Sequence, residues 1–227
     1  MAYTYSHSID DASDRWDYGL VNFYNPGASK ASSNFDIRHM LNVGYVYDLP
    51  FFRTLGLAHT FLGGWQFSGI ASFQTGTPYS VVNNGDFSDN AGVANGIGTG
   101  SYPDLIGNPN ANVPSGFAGN PAAFAAPRGL TYGNAGRNLM TNPHTTNFDM
   151  ALFKRFALNE RTGFEFRAEA FNVFNHTQWA PISGEGGSAS SAAGASSGTN
   201  GFGGSDFFAI LAARNPRILQ LGLKFYF

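Results

Sequence analysis

Ten residues, Ile218 to Phe227, constrain the fold of this chain more than any other stretch. In an extended strand Leu219, Leu221, Leu223, Phe225 and Phe227 fall on one face, and Ile218, Gln220, Gly222, Lys224 and Tyr226 on the other. Strand side chains alternate with period two, so one face is apolar along its whole length and the other is mostly polar or small. An apolar strand left bare at a sheet edge invites pairing with another chain. A closed sheet in a bilayer uses both faces: apolar residues meet lipid, polar residues meet an aqueous interior, and closure removes the edge. The edge strand of a soluble β-sandwich is the competing reading of this segment.

The same alternation recurs upstream. Phe164, Phe166, Ala168 and Ala170 oppose Glu165, Arg167 and Glu169, and charges of alternating sign on one face suit a wet interior. From Phe171 to Phe174 the alternation slips, as it does at a β-bulge or at a barrel rim. Phe148, Met150, Leu152 and Phe156 oppose Asn147, Asp149 and Arg155, while Lys154 interrupts the apolar face and is expected to snorkel toward an interface. Trp65, Phe67, Gly69, Ala71 and Phe73 alternate with Gln66, Ser68, Ile70, Ser72 and Gln74. Ile37, Leu41, Val43, Tyr45, Tyr47 and Leu49 alternate with Arg38, Asn42, Gly44 and Asp48, and His39 falls on the apolar side. Tyr3 and Tyr5 mark a further strand. The expected strands cover residues 2–9, 36–49, 64–80, 146–157, 163–175 and 217–227. The fold class is therefore all-β: an antiparallel transmembrane β-barrel segment of about six strands with long extracellular loops. Leu219, Leu221, Leu223, Phe164, Phe166, Trp65 and Phe67 are expected to face lipid. Arg38, Gln66, Gln74, Asp149, Arg155, Glu165, Arg167, Glu169, Gln220 and Lys224 are expected to face the lumen.

Composition agrees where it bears on this. Charged residues are 12% of the chain and aromatics 15%, and no apolar run approaches the roughly 18 residues of a spanning helix. Connections alternate between long (10–34, 83–145, 177–215) and short (51–63, 158–162). Outer-membrane barrels have long extracellular loops and short periplasmic turns, and a periplasmic C-terminus places every long connection outside. The middle and last of the long connections are rich in Gly, Asn, Pro and Ala, and are expected to bury too little apolar area to offset their ordering entropy. Trp16, Trp65 and Trp179 are candidates for an interfacial aromatic girdle. The opening MAYTYSHSIDD has neither the basic start nor the apolar core of a signal peptide, so the chain reads as a piece of a longer protein.

The sequence offers little for catalysis. Glu165 and Glu169 are separated by about 13 Å at strand rise, too far for a glycosidase pair, and Arg167 lies between them. His7, His39, His59, His144 and His176 lack metal-ligand spacing. Asp86 and Asp89 in NNGDFSDN could offer oxygens to calcium but lack the twelve-residue loop pattern. The glycines of FGGSD have no strand before them and no helix after them to make a phosphate cradle. With no cysteine there is no disulfide or thiolate site. A net charge of −2 argues against a nucleic-acid partner. No residue is expected to be catalytic and no cofactor is expected.

The segments AYTYSHSIDDAS, FDIRHMLNVGYVYDLPF, GWQFSGIASFQTGTPYSV, NFDMALFKRF, FEFRAEAFNVFNHTQW and NPRILQLGLKFYF, in this order, resemble the C-terminal barrel of TonB-dependent outer-membrane receptors. The nearest likeness is to the Oar-like group, which carries a carboxypeptidase-regulatory-like domain. The ending also resembles the C-terminal signal recognised by the barrel assembly machinery, which would be carried by Leu219, Leu221, Leu223, Phe225 and Phe227. The resemblance implies a barrel of about 22 strands, a plug that fills it and a motif that engages TonB. This chain matches about the last quarter of such a barrel, so TonB would act only through a part not present here. Its implied surroundings are outer-membrane lipid and the assembly machinery, with an unknown ligand. Six strands alone would make an open sheet whose edges a bilayer cannot satisfy, and the isolated chain is not expected to insert.

Three functions compete at this point. A transport component would have a plug encoded upstream. A surface-binding or adhesion protein anchored by its barrel would not. A soluble β-sandwich enzyme would fold as a monomer without detergent.

Overall fold

The period-two segments pair with one another in the order in which they occur. A computed structural model describes residues 1–13, 22, 24–51, 56–81, 102–125, 133–182 and 207–227. Among these the elements are β1 (Ala2–Tyr5), β2 (Ile9–Asp10), β3 (Ala31–Ser32), β4 (His39–Asp48), α1 (Leu57–Leu62), β5 (Trp65–Gln74), β6 (Pro78–Tyr79), β7 (Asp104–Leu105), β8 (Phe124–Ala125), β9 (Met140–Thr141), β10 (Thr145–Ala157), β11 (Gly163–Phe171) and β12 (Ile218–Tyr226). The long strands form a six-stranded sheet in the order β1-β4-β5-β10-β11-β12, with every neighbouring pair antiparallel. It is an open sheet with β1 and β12 at its edges. Three two-stranded ladders, β2–β3, β6–β9 and β7–β8, lie in the connections.

Register keeps the two faces apart across the sheet. Tyr45, Gly69, Met150, Ala170 and Leu219 form one row from β4 to β12. The next row, Val46, Ser68, Ala151, Glu169 and Gln220, points the other way. The apolar face carries edge-to-face ring pairs, Trp65 with Phe166 at 5.9 Å and Phe73 with Phe148 at 5.4 Å. At its loop end Tyr3 and Tyr5 flank His39, and Tyr3 Oη bonds His39 Nδ1 at 2.9 Å.

Gly69 in the middle of β5 is a packing site. A Cβ there would lie 2.5 Å from Tyr45 Oη and 2.5 Å from the Asp149 carbonyl oxygen, because the tyrosine ring folds across the glycine opposite it. Gly69→Ala is therefore expected to cost about 1–3 kcal/mol by overpacking, and Gly44→Ala, where no atom lies within 4 Å, far less. Urea unfolding of the assembled outer-membrane protein carrying each substitution, in liposomes, measures the difference.

Several strands stop short of their sequence-based extents. The first ends at Tyr5 rather than continuing through residue 9, because the Ser6 amide bonds the Arg38 carbonyl and Ser8 and His7 bond the Asp36 carboxylate. Ile9–Asp10 then joins a separate ladder. β5 ends at Gln74 rather than near residue 80, since the chain leaves the ladder at Thr75–Thr77, where the Asn142 backbone lies against Gly76 and the Asn142 amide donates to the Thr77 carbonyl at 2.9 Å. The phase slip after Phe171 is a rim, not a bulge: Asn172 takes a left-handed φ of 49° and opens a turn. The short connection before β5 contains α1, which no apolar periodicity announced.

Lys154 does not snorkel. It is 2% exposed on the apolar face, donates to the His59 and Gly63 carbonyls at the C-terminal end of α1, and lies against the Trp65 and Phe156 rings. The helix end thus gives the ammonium acceptors where the sheet has none.

All three long connections leave from one end of the sheet, and there they condense. The buried apolar core lies in them, formed by Tyr79, Tyr102, Phe124, Met140, Phe207 and Phe208 among others. The expectation that the middle and last connections bury too little to order is overturned for their described parts, while residues 82–101 and 183–206 lie outside the described residues. Sparse aromatic residues of the second and third connections, far apart in the sequence, meet in this core, and Phe207 and Phe208 of the last one pack on Phe124 at 5.8 and 5.4 Å. Asp86, Asp89, Trp16 and the glycines of FGGSD lie outside the described residues.

Candidate functional site: a polar wall beneath a folded cap

The polar face of the sheet changes character along its height. At the end away from the cap, Glu165 is buried and accepts from Arg155 Nε at 3.2 Å and from Arg167 Nη2 at 2.9 Å. Both guanidinium groups lie over the Phe153 ring, at 5.5 and 5.4 Å from its centre. Gln66 Nε2 donates to Asp48 Oδ1 at 2.9 Å beside them. Both carboxylate oxygens of Glu165 are thus engaged by arginine.

Halfway up, the wall is less polar than the alternation suggested. A depression of about 480 Å³ is lined by Val46, Ile70, Ala151 and Phe171, with Asp149 and Glu169 at its margin. Ile70 stands among polar positions in the alternation of β5, and the register sets Val46 of β4 diagonally beside it.

Toward the cap the wall turns to amides and hydroxyls. Gln74, Thr145 and Asn147 stand at the strand ends, and Gln178 and Arg214 come from the β11–β12 connection. Gln178 Nε2 donates to Asn147 Oδ1 at 3.1 Å, and the Arg214 amide donates to the Gln178 carbonyl at 2.7 Å. Asp149 Oδ1 accepts from the Asn172 amide, which ties the wall to the rim.

Of the expected lumen-facing residues, Gln66, Gln74, Asp149, Arg155, Glu165, Arg167, Glu169, Gln220 and Lys224 share this one face by register. Arg38 precedes β4, and its guanidinium turns back to Asp36 at 2.8 Å and to His7 Nε2 at 3.2 Å. Leu219, Leu221, Leu223 and Phe225 lie on the opposite face in β12. Phe227 lies beyond the strand, its ring 6.0 Å from that of Phe225. Trp65 is on the apolar face, whereas Trp179 lies off the sheet, bridged to Ala213.

The cap is stitched by polar groups that sequence reasoning missed. Arg137 has no exposed side-chain surface. Its Nη1 donates to Asp10 Oδ1 at 2.7 Å and to the Asp10 carbonyl, and its Nη2 to Ser13 Oγ at 2.8 Å. Asn138 Nδ2 donates to the Ser32 carbonyl and to Asn34 Oδ1, both at 2.6 Å. Burial pushes the Asp10 carboxyl up, but hydrogen bonds from Ser33, Arg137 and Ser13 outweigh it and hold the group below its ordinary value. Asp36 is lowered in the same way, with burial opposed by Arg38, the Ser8 amide and His7. Burial pushes the Tyr79 hydroxyl far up. Among the described residues no three His, Asp or Glu side chains converge to hold a metal ion.

One apolar face, one polar face and a cap built from the connections at one end are what a wall of a bilayer-spanning barrel requires. No curated protein and no solved structure matches the chain. The model of the family described as outer membrane beta barrel domain matches residues 1–220. The chain belongs to that family of outer-membrane β-barrel domains and is an outer-membrane protein.

Proposed function

We propose that this chain is a wall segment of a TonB-dependent outer-membrane receptor of the Oar-like group, and that it serves the uptake of a large nutrient. The observation that carries the reading is the polar wall rising to a folded cap, which offers a ligand a recognition surface outside and a hydrogen-bonding path inside. TonB dependence rests on the resemblance of the strand segments alone. In this reading the apolar face contacts outer-membrane lipid, the terminal strand is read by the barrel assembly machinery, and TonB acts through another part of the receptor. The chain is not an enzyme, needs no cofactor and binds no nucleic acid. The folded cap equally suits the second reading, a surface-binding protein anchored by its barrel.

Growth of the host on single nutrients separates the two. Deleting the gene for this chain is expected to abolish growth on one nutrient class, and deleting TonB is expected to reproduce the loss. A strain that loses only surface attachment, with growth intact on every nutrient, supports the adhesion reading instead.

A further inference from the structure

We propose that the two adjoining clefts beneath the cap form a binding site for a neutral, hydroxyl-rich ligand, an oligosaccharide segment. The proposal names the substrate class for the receptor reading given above and rests on it. The clefts measure about 420 and 300 Å³, and Thr145 and Arg214 line both. That is the size of sites that enclose small-molecule groups, about 300–1,000 Å³. They lie at the cap end of the polar wall, where a ligand from outside would first meet it.

Their chemistry is specific. Gln74 and Thr145 line the clefts and make no side-chain hydrogen bond among the described residues, and Asn147 uses only its Oδ1, toward Gln178. Amides and hydroxyls both donate and accept, which is what a sugar hydroxyl demands. Gln178 is 7% exposed, and its Oε1 is buried with no partner among the described residues. A buried acceptor left unsatisfied costs about 1–3 kcal/mol, so a ligand hydroxyl reaching it removes a penalty already present in the empty site. Phe171 and Pro216 add an apolar wall against which the C–H face of a pyranose can lie.

Competing ligands fit less well. Among the described residues, Asp149 and Arg214 are the charged side chains that line the clefts, and their signs oppose. An anionic metal chelate calls for a cluster of cations instead. A peptide recognised through its main chain needs a free strand edge; β5, β10 and β11 are each paired on both sides, and in the receptor reading barrel closure takes up the edge of β12.

The test uses the assembled outer-membrane protein that contains this chain, purified in detergent and titrated in a calorimeter with maltohexaose, xylohexaose and cellohexaose. Hexaalanine and ferric citrate are the comparators. At least one hexasaccharide is expected to bind, and Gln74→Leu and Thr145→Val are each expected to weaken it by about 2- to 10-fold. Unchanged heat-modifiable gel migration shows that the variants are assembled, and Thr145→Tyr, which fills the shared wall, gives an independent block. The proposal is overturned if no hexasaccharide binds, if only hexaalanine or ferric citrate binds, or if all three variants bind as the parent does. Binding is read without TonB, so its failure differs from failure of transport. A saccharide that binds but is never taken up removes the transport reading and leaves the site. Uptake of a peptide or chelate without saccharide binding does the reverse.

Discussion

Arginine in place of Leu221 is expected to destabilise the assembled protein by about 2–4 kcal/mol, while arginine in place of Gln220, its immediate neighbour, costs close to nothing. Leu221 sits in the middle of β12, opposite Ala168 and 73% exposed on the apolar face. There the bilayer offers a guanidinium neither water nor an acceptor, and the group must be desolvated or dragged toward an interface. Gln220 is opposite Glu169 on the polar face, where a new arginine gains a carboxylate. Urea titration of both variants in liposomes gives the two values. Equal costs would mean that both faces see the same solvent, and the barrel assignment would fail with them.

A second large effect is expected in the cap. Arg137→Ala removes the buried half of an ion pair whose other half, Asp10, is 24% exposed, and leaves Asp10, the Ser13 hydroxyl and the Asp10 and Ser29 carbonyls with no guanidinium to bind. Leaving such groups without their donor costs about 1–3 kcal/mol, less than for a fully buried pair because water reaches the Asp10 carboxylate. Hydrogen exchange should show lost protection in residues 9–13 and 29–34 while β10 and β11 keep theirs. Replacing both partners, with Asp10→Asn added to Arg137→Met, should recover part of the loss. Protection that falls equally in the sheet would mean that cap and sheet are one cooperative unit. Acid should act on the same contacts. Asp10 and Asp36 have folded-state values below the ordinary 3.8. Their contribution is complete above that unfolded value and is lost as pH falls through the lower folded ones, so the cap should loosen at acid pH before the sheet does.

The sheet was legible in the sequence because each strand has one face against a different solvent, and that difference is written locally with period two. β12 was read as 217–227 and spans Ile218–Tyr226. The cap was not legible because its contacts are written nowhere locally. Arg137 stands in a glycine- and asparagine-rich run, and nothing near it names Asp10 as its partner. Phe207 and Phe208 follow a low-complexity stretch whose composition suggested no core, yet two adjacent rings suffice when Phe124 and Tyr79 wait across the connection. Lys154 misled for a similar reason: a lysine in an apolar series implies a route to water until a short helix supplies two carbonyls. The polar wall lies between these cases. Its residues were named by alternation, but the amide-rich group beneath the cap draws on Gln178 and Arg214, which belong to no strand of the sheet.

The link between Arg137 and Asp10 spans 127 positions, and this separation bears on the order of folding. A chain that crosses a membrane from its N-terminus presents β1 and the segment after it first, long before Arg137 arrives. Contacts between distant positions form late, because the intervening chain must be positioned before they can reward its ordering. Until then the Asp10 carboxylate and the carbonyls around it stay hydrated, and the first connection has nothing to fold onto. The hairpins β4–β5 and β10–β11 close through local pairing and need no such wait. The cap is thus completed only after the wall beneath it has been threaded, and a wall stalled partway leaves the connections unfolded and open to proteases.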